Sequence, residues 1–341
     1  MERVMRSGLI FWFLLPVLGL LMVLHIGIGS VPIAPADLLA ALRNAPVEPA
    51  HRQIIWEVRL PRALIAVVAG AMLGLAGAIL QSVTRNPLAE PGIIGVSAGG
   101  VFLGALALAL GEGSVAVGRS LPLIIFLGGL AAVGVVYGLS RQGPPDPLRF
   151  VLVGLLISAI LTSATSVLLI RDQQTLGSML LWMIGSLNGR VWLHWSILWP
   201  WALPAVLLGL ISAGSANLLQ LGDDVAAGLG MRVERVRLTL ISIAALLTAG
   251  AVAVVGAIGF IALIGPHIAR RLTGEDARRV FPLSAGLTAA LLVAADILAQ
   301  GGLFRVVLPA TVRVQIPVGA VTALLGAPFF LYLVRRRMPH A

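Results

Sequence analysis

The stretch ANLLQLGDDVAAGLGMRVERVR, residues Ala216–Arg237, is a long polar interruption between two apolar runs. Its composition is not that of a loop. Asp223 or Asp224 can cap a short helix, and Gly230 can end that helix in a left-handed conformation. The stretch therefore predicts ordered structure where the chain leaves the apolar phase.

Apolar residues in this stretch have helical spacing. Val225 and Leu229 fall one turn apart, and Ser215 or Asn217 can start a preceding turn that carries leucines. Two short amphipathic helices are therefore predicted. They fit a linker lying on the membrane surface and a docking site for another protein equally well.

The composition indicates an all-α polytopic membrane protein. The 341 residues are 59% hydrophobic and 11% charged, whereas about a quarter of a soluble domain is charged. We expect one membrane domain, 1–341, with about ten transmembrane helices of roughly 20 residues each. The predicted spans are Gly8–Gly29, Ala63–Val83, Ile93–Gly111, Leu121–Ser140, Leu148–Leu169, Trp192–Ala213, Leu238–Val255, Ala257–Leu272, Pro282–Gln300 and Pro317–Val334. The segment Arg171–Val191 is too short to cross and predicts a re-entrant or surface helix.

The charge pattern predicts the topology. The net charge is +10, and all 24 basic residues are arginines. A basic chain can indicate nucleic acid, but these arginines lie at the ends of apolar runs, so no nucleic-acid partner is predicted. Fifteen of the 24 arginines lie on the side of the two termini. The positive-inside rule then places both termini and the opening stretch in the cytoplasm.

Missing residue types exclude several activities. Without lysine there is no phosphate-binding P-loop, so any ATP hydrolysis belongs to a separate chain. Without cysteine there are no disulfides and no thiolate metal ligands. The five histidines are dispersed, which argues against a metal site. We therefore predict no catalytic residues, no metal and no cofactor in this chain.

Gly95-Val-Ser97-Ala-Gly99 matches the motif that places the nucleophile of many serine hydrolases on a strand-to-helix turn. Here the motif begins an apolar helix among small residues, which allow close helix packing. Packing is the favoured interpretation, and an intramembrane serine hydrolase using Ser97 is the alternative.

Ionisable groups are rare within the predicted spans. Asp296 lies near the outer end of the ninth span, and His25 lies near the outer end of the first. An intramembrane acid can relay protons, so an ion-coupled secondary transporter using Asp296 is a second alternative. A hydrogen bond from Asp296 to a neighbouring helix terminus is the simpler interpretation.

The fifth span carries hydroxyl groups on one face. They lie at i, i+4, i+7 and i+8, on Ser158, Thr162, Thr165 and Ser166. Such a face can line a translocation path at a symmetric dimer axis. The hydroxyls can equally bond their own helix backbone.

Two proline-containing segments predict turns or kinks. In Arg85-Asn86-Pro87-Leu-Ala-Glu-Pro-Gly92 the prolines preset a tight turn. In Gly265-Pro266-His267, the proline is expected to kink or end the eighth span.

The predicted outer side also carries arginines. Arg59 and Arg62 lie beside the first external segment, and Arg305 and Arg313 lie in the last. A basic rim can attract an acidic soluble partner. Contacts with membrane lipid headgroups or with acids such as Glu57 are the simpler explanation.

Taken together, these segments resemble the FecCD-type permeases, the BtuC-like membrane subunits of bacterial ABC importers for iron–siderophores, haem and vitamin B12. The likeness runs from about Arg59 to Arg337. The segments that carry it are Arg59-Leu-Pro-Arg62, Gly77-Ala-Ile-Leu-Gln81, Arg85-Asn-Pro-Leu-Ala-Glu-Pro-Gly-Ile-Ile-Gly95, Leu221-Gly-Asp-Asp-Val-Ala, Gly256-Ala-Ile-Gly-Phe260, Gly265-Pro-His-Ile-Ala-Arg-Arg271, Pro282-Leu-Ser, Ala295-Asp296, Ile316-Pro-Val-Gly-Ala-Val-Thr322 and Gly326-Ala-Pro-Phe-Phe330.

The resemblance implies ten helices per subunit in a BtuC-like fold. It also implies a dimer, here a homodimer, in the bacterial inner membrane. The fifth helix lines the path. Two cytoplasmic ATPase subunits use ATP and Mg, and a periplasmic or lipid-anchored binding protein delivers the substrate. The ATPase docks on coupling helices at about 217–232, which assigns that role to Leu221, Gly222, Asp223, Asp224, Val225, Leu229, Gly230 and Arg232.

The resemblance also implies roles for other residues. Arg59 and Arg62 would meet acids of the binding protein. Gating or motif positions would be Gln81, Asn86, Pro87, Pro266, His267 and Asp296. The family often has arginine where Gln300 stands, and glutamate where Gln315 stands. Arg305 or Arg313 would replace the missing docking charge. An iron–siderophore is the expected substrate, with haem and vitamin B12 as alternatives.

Overall fold

The computed structural model describes residues 2–29, 31, 33–43, 45–111, 114–141, 147–171, 173–302 and 316–337, and these form helices and short connections without a strand. The helices are α1 Glu2–Gly27, α2 Pro35–Leu42, α3 Pro49–Gln53, α4 Leu60–Thr84, α5 Val96–Gly111, α6 Val115–Ser140, α7 Pro147–Arg171, α8 Gln173–Ile184, α9 Trp192–Ile211, α10 Ala213–Gln220, α11 Asp223–Gly228, α12 Val233–Val255, α13 Ile261–Thr273, α14 Ala277–Ile297 and α15 Val318–Arg337. A π-helical turn, Ile54–Arg59, joins α3 to α4, another, Leu298–Gly302, follows α14, and a 3-10 turn, Pro91–Ile94, precedes α5.

Each predicted span contains a helix, but the helices differ in length. Six helical segments of the described chain are long and apolar enough to cross a membrane: Pro49–Thr84, Ala116–Ser140, Leu148–Ile170, Trp192–Ile211, Val233–Val255 and Ala277–Gln300. Trp12–Gly27, Val96–Gly111 and Val318–Leu331 are shorter apolar helices. The predicted eighth span, Ala257–Leu272, holds only the 13-residue helix α13, because its first residues are not helical.

Helix α4 lies at the centre of the bundle with α12. In both helices 78% of the most apolar window is buried, against 17% in α7. Small residues explain the close packing around α4. A Cβ atom at Gly74 would collide with Ser284 and Thr288 of α14, and one at Gly77 would collide with the Ala262 carbonyl of α13. Glycine therefore lets the backbones of α13 and α14 approach α4.

Helices α12 and α13 are separated by irregular backbone inside the bundle. Gly256 ends α12 with φ of +78°. The carbonyl of Trp182, in α8, accepts a hydrogen bond of 2.9 Å from Ala257 N–H, and Val255 O accepts one of 2.8 Å from Ser186 N–H. The end of α8 thus satisfies backbone groups that helix geometry leaves open, as buried irregular backbone requires.

Helix α8 occupies the segment predicted to be re-entrant or on the surface. Met179 and Trp182 are buried in it, and the carbonyl of Gly185, just after it, accepts from Gly319 N–H at 3.0 Å. The segment therefore packs one face into the bundle, while Leu180, Leu181 and Ile184 remain exposed.

The two proline predictions have different outcomes. The tight turn after α4 is confirmed: Arg85 is left-handed with φ of +49°, and Asn86 Oδ1 accepts from Leu88 N–H at 2.9 Å. Pro266 lies inside α13, which continues to Thr273. That proline does not end the helix.

Candidate functional site

The polar stretch folds into the two short helices that its spacing predicts, α10 and α11. Gly222 connects them with φ of +113°, and Gly230 is left-handed with φ of +84° as expected. The predicted cap is wrong in detail. Gly222 is the N-cap of α11, and Asp223 is in its first turn, where its carboxylate binds arginines from other helices.

Apolar side chains on α11 and just beside it are exposed on the surface of the bundle. Leu221 is 58% exposed, Val225 51% and Leu229 64%, whereas Ala226 between them is fully buried. Arg232, after the helix, is also exposed. Exposed apolar side chains beside charged ones are characteristic of a surface that another protein covers.

Asp223 attaches α11 to two transmembrane helices. It accepts a hydrogen bond of 2.7 Å from Arg237 of α12 and forms an ion pair with Arg85 at the end of α4. Arg85 also donates to the carbonyl of Leu219, the last turn of α10, at 2.9 Å. One arginine therefore joins α4 to both short helices.

A second attachment reaches α14. The Asn217 side chain donates to Asp276 at 2.7 Å and accepts from Ala277 N–H at 2.7 Å. Gln220 donates to Ser82 of α4 at 3.0 Å. The predicted coupling helices, α10 and α11, are thus connected to α4, α12 and α14.

The charge on Asp223 is stabilised by its partners. Burial acts to raise the pKa of Asp223, but the hydrogen bonds and charges of Arg237 and Arg85 outweigh it and hold this pKa below its ordinary value. The carboxylate is therefore ionised throughout the neutral range.

Two of the predicted gating or motif residues, Gln81 and His267, make contacts between helices at this end of the bundle. The buried Gln81 accepts a hydrogen bond from Arg270 of α13. The His267 ring packs edge-on against Phe329 of α15, with centroids 5.7 Å apart. Asn86 and Pro87 lie in the turn after α4.

The hydroxyl-bearing face of α7 borders a cavity of about 240 Å³. Ser158, Thr162 and Thr165 all line it, and Gly92 and Ala257 belong to its wall. The cavity opens at the surface of the chain, because Thr162 is exposed.

The hydroxyls of α7 do not all act alike. Thr165 donates to Leu161 O at 2.8 Å and Ser166 to Thr162 O at 3.0 Å, so both bond their own helix. The buried Ser158 Oγ has no hydrogen-bond partner in the described part of the chain. Ser158 therefore offers an uncommitted polar atom next to the cavity.

Ser97 lines the same cavity, but its surroundings are not those of a nucleophile. The motif lies at a junction between a 3-10 turn and α5, not between a strand and a helix. Gly99 packs against Gly128 of α6. The cavity-lining residues include no histidine or carboxylate that can act as a base. The packing interpretation of the motif is supported.

At the opposite end of the bundle, Asp296 is fully buried. Arg62 binds both of its oxygens at 2.8 Å, and His25 Nε2 lies 2.7 Å from Oδ2. Gln300 Nε2 lies 2.9 Å from the same histidine nitrogen. Asp296 and His25, the ionisable residues identified within the predicted spans, are thus in contact. Arg62 compensates the charge of Asp296.

The arginines expected on the outer rim lie inside the protein. Arg62 is 8% exposed because it neutralises Asp296, and Arg59 is 6% exposed. Arg59 donates to the carbonyls of Ile26, Gly27 and Val31 at 2.8, 3.0 and 2.5 Å. The carbonyls of Ile26 and Gly27 belong to the last turn of α1, where helix geometry leaves them without donors, and Val31 lies in the connection that follows. Arg305, Arg313 and Gln315 lie outside the described residues.

Some contacts could not be derived from the sequence. Arg85 was predicted only as part of a turn, and its bond to Asp223 joins residues 138 positions apart. Glu90, in the same turn region, accepts from Phe260 N–H at 2.5 Å. A charged residue within a Pro-rich turn is the only signal that the sequence offers for either contact.

Comparisons with known proteins agree with this arrangement. The model of the FecCD transport family matches residues 17–336. The Fe(3+)-citrate import system permease protein YfmE of Bacillus subtilis (strain 168) is 38% identical, covering 97% of this chain and 96% of the relative. The hemin transport system permease protein HmuU of Yersinia pestis is also 38% identical, covering 94% and 95%. A solved metal-chelate type ABC transporter in an inward-facing conformation has a TM-score of 0.82 at 29% identity, covering 96% of this chain and 99% of that one.

The chain belongs to the FecCD transport family. It is a permease subunit of an ABC importer, and a separate ATPase chain hydrolyses the ATP. The prediction that it is a transport subunit of the membrane and not an enzyme is confirmed.

Proposed function

We propose that this permease imports an iron chelate, with an iron–siderophore as first choice and haem or vitamin B12 as alternatives. The chain would lie in the bacterial inner membrane with ten spans and both termini in the cytoplasm. The hydroxyl-lined cavity beside α7 carries the proposal. Relatives named for Fe(3+)-citrate, hemin and iron(3+)-hydroxamate support iron chelates as the substrate class.

A second copy of the chain would complete the path. The cavity beside α7 opens at the surface, where Thr162 of its lining is exposed. A second α7 facing it would enclose the cavity and give a homodimeric path with hydroxyl groups on two sides. Lipid would cover the apolar surface that remains.

Two ATPase subunits would dock on the coupling helices. The exposed side chains of Leu221, Val225 and Leu229 form the contact, and Asp223 and Asn217 attach it to the bundle. ATP binding and hydrolysis with Mg in the partner would move these helices, and the path would open alternately to the two sides.

The end that carries Asp296 would receive a periplasmic or lipid-anchored binding protein. Because Arg59 and Arg62 are buried, their part in docking would be indirect. Arg59 joins the end of α1 to the loop after it through three carbonyls, and Arg62 holds α4 to α14. The loop, fixed in this way, would present the docking surface.

Uptake by proteoliposomes tests the proposal. The permease is reconstituted with its partner ATPase and binding protein, and uptake of radioactive iron is followed for ferric citrate, a ferric hydroxamate and hemin. Uptake should require ATP, Mg and binding protein. Uptake driven by a proton gradient without ATP would instead support the ion-coupled alternative.

The contacts of Asp296 weigh against that alternative. A proton-carrying carboxylate must release and bind its proton during transport. Asp296 is held by two hydrogen bonds from Arg62 and by His25, and is fully buried. This arrangement stabilises the charged form and joins helices, which is a structural role.

A further inference from the structure

Glu90 is a half-buried carboxylate to which the proposed transport cycle assigns no part. It lies in the connection 85–95, defined here as the α4–α5 loop, five residues after Arg85. Burial raises the pKa of Glu90, and the hydrogen bond from Phe260 N–H opposes that change. That bond is 2.5 Å long and joins residues 170 positions apart. Removing the Glu90 carboxylate from solvent costs free energy, so its position calls for an explanation.

The donor end of this bond lies at the start of α13. Phe260 is the N-cap residue and is left-handed, with φ of +64°, a conformation that residues other than glycine seldom adopt. The first N–H groups of a helix lack partners within it, and a negative charge is favoured there. Glu90 supplies both the acceptor and the charge, so it holds α13 in this position.

The same loop begins at the coupling helices. Arg85 binds Asp223 of α11 and the carbonyl of Leu219 in α10. The loop therefore contacts the coupling helices through the charged side chain of Arg85. It contacts α13 through the charged side chain of Glu90. Between them lies the tight turn held by Asn86.

The α13 contact borders the cavity beside α7. Gly92, two residues after Glu90, lines it, and so does Ala257, three residues before Phe260. The Glu90–Phe260 bond thus joins the two backbone segments that form one wall of the cavity. A shift of the loop would move both segments together as long as the bond is intact.

We propose that the α4–α5 loop connects the coupling helices to the cavity wall, with Arg85 at the ATPase side and Glu90 as the positioning residue at the path side. The inference rests on the proposed function, since it assumes that α10 and α11 receive the movement of the ATPase. It assigns Glu90 to coupling and not to substrate binding.

Two substitutions separate coupling from folding. Glu90→Ala removes the acceptor, whereas Glu90→Gln keeps an oxygen that can accept from Phe260 N–H. In proteoliposomes with the ATPase and binding protein, Glu90→Ala should lower the transport per ATP hydrolysed by about tenfold, as expected for one lost hydrogen bond to a charged group. Glu90→Gln should stay within about threefold of wild type, since a neutral hydrogen bond is retained.

Thiol labelling gives a second measurement, because the chain has no cysteine. Ala257→Cys places a thiol on the cavity wall, and its rate of maleimide labelling is measured with and without a non-hydrolysable ATP analogue. The labelling rate should change with nucleotide when Glu90 is present. In the Glu90→Ala variant it should be the same with and without nucleotide. Assembly with the ATPase, followed by co-purification, should be normal in both.

Three results would overturn the inference. They are a normal transport-to-ATP ratio in Glu90→Ala, equal losses in Glu90→Ala and Glu90→Gln, and a nucleotide-dependent labelling rate that survives Glu90→Ala. If Glu90→Ala does not fold, Glu90→Asp takes its place, since a shorter carboxylate cannot reach the same N–H without moving the loop. Failure of the proposed function looks different, because wild type itself would then show no ATP-dependent uptake.

Discussion

The guanidinium of Arg62 binds both oxygens of the Asp296 carboxylate, with Nε and Nη2 each 2.8 Å from their partner oxygens. The pair joins the start of α4 to the last turn of α14 at the end of the bundle opposite the coupling helices. His25 adds α1 to the contact. A buried charge without partners is very costly, so Asp296 and Arg62 depend on each other.

Removing one partner of this cluster should destabilise the protein strongly. Arg62→Leu or Asp296→Leu leaves an uncompensated buried charge, which costs about 3–5 kcal/mol in soluble proteins. The double variant leaves no charge of the pair and should lose much less than the sum of the two. Thermal unfolding in detergent measures the stability of the two single variants and of the double variant.

Additive losses in that double-mutant cycle would contradict a coupled pair. Arg52→Leu serves as a control, because Arg52 is exposed near the same end of the bundle and contacts of exposed charges contribute about 1 kcal/mol or less. Its unfolding temperature should change little.

The pairing of these residues shows what the sequence could and could not reveal. Asp296 and His25 were identified separately because ionisable residues are rare in apolar runs. Their contact spans 271 positions, and no local pattern encodes it. Arg62 was assigned to the surface, because a sequence places an arginine at a helix end without showing which way its side chain turns.

Elements with a local signal were predicted well. The coupling helices follow from turn residues and from leucine and valine spacing within one short stretch, and each long apolar run forms a helix. The sequence predicts a break between two spans at Gly256, but it does not predict how long the irregular segment is. The irregular segment before α13 is held by tertiary contacts with Trp182 and Glu90, and no local pattern in the sequence encodes these contacts.

Val225→Asp should uncouple ATP hydrolysis from transport. A charge placed on the exposed apolar face of α11 must be desolvated on docking, so the ATPase should bind about tenfold more weakly or more. The permease itself should fold normally, because Val225 is 51% exposed. Co-purification and transport-coupled ATPase activity measure the effect.

Ala227→Asp is the matched control, since it adds the same charge to the same helix on the face away from Val225. Equal losses of coupling in both variants would show that α11 tolerates no additional charge on either face. Normal coupling in Val225→Asp would refute the proposed docking face.

Ser158→Phe should block the path. The new ring would fill part of the cavity of about 240 Å³, so chelate uptake should fall while the ATPase still assembles. Leu156→Phe, on the exposed side of the same helix, adds a similar ring outside the cavity lining. If the Leu156 variant loses as much uptake as the Ser158 variant, then bulk on α7, not cavity volume, determines the result.

Ser97→Ala should keep full uptake, and the purified wild type should not react with a serine-directed covalent probe. The residues lining its cavity include no base that can activate the hydroxyl. Labelling of wild type that disappears in Ser97→Ala would revive the hydrolase alternative.

Arg85→Gln should impair transport more than Arg237→Gln, although both arginines bind Asp223. Arg85 also holds the end of α10 through the Leu219 carbonyl. The pair with Asp223 is more than a third exposed on both sides, so solvent screening limits its effect on stability to about 1 kcal/mol or less. The loss should therefore appear in transport per ATP and not in the unfolding temperature.

Because the pKa of Asp223 is held below its ordinary value, these contacts stabilise the fold at neutral pH and are lost only as the pH falls through that lower pKa. The ratio of Arg85→Gln to wild-type transport should therefore be constant between about pH 6 and pH 8. A ratio that rises with acidity in that range would mean that a histidine, not Asp223, is the titrating partner. A matching loss of unfolding temperature in Arg85→Gln would show that the arginine holds the fold and not the coupling helices.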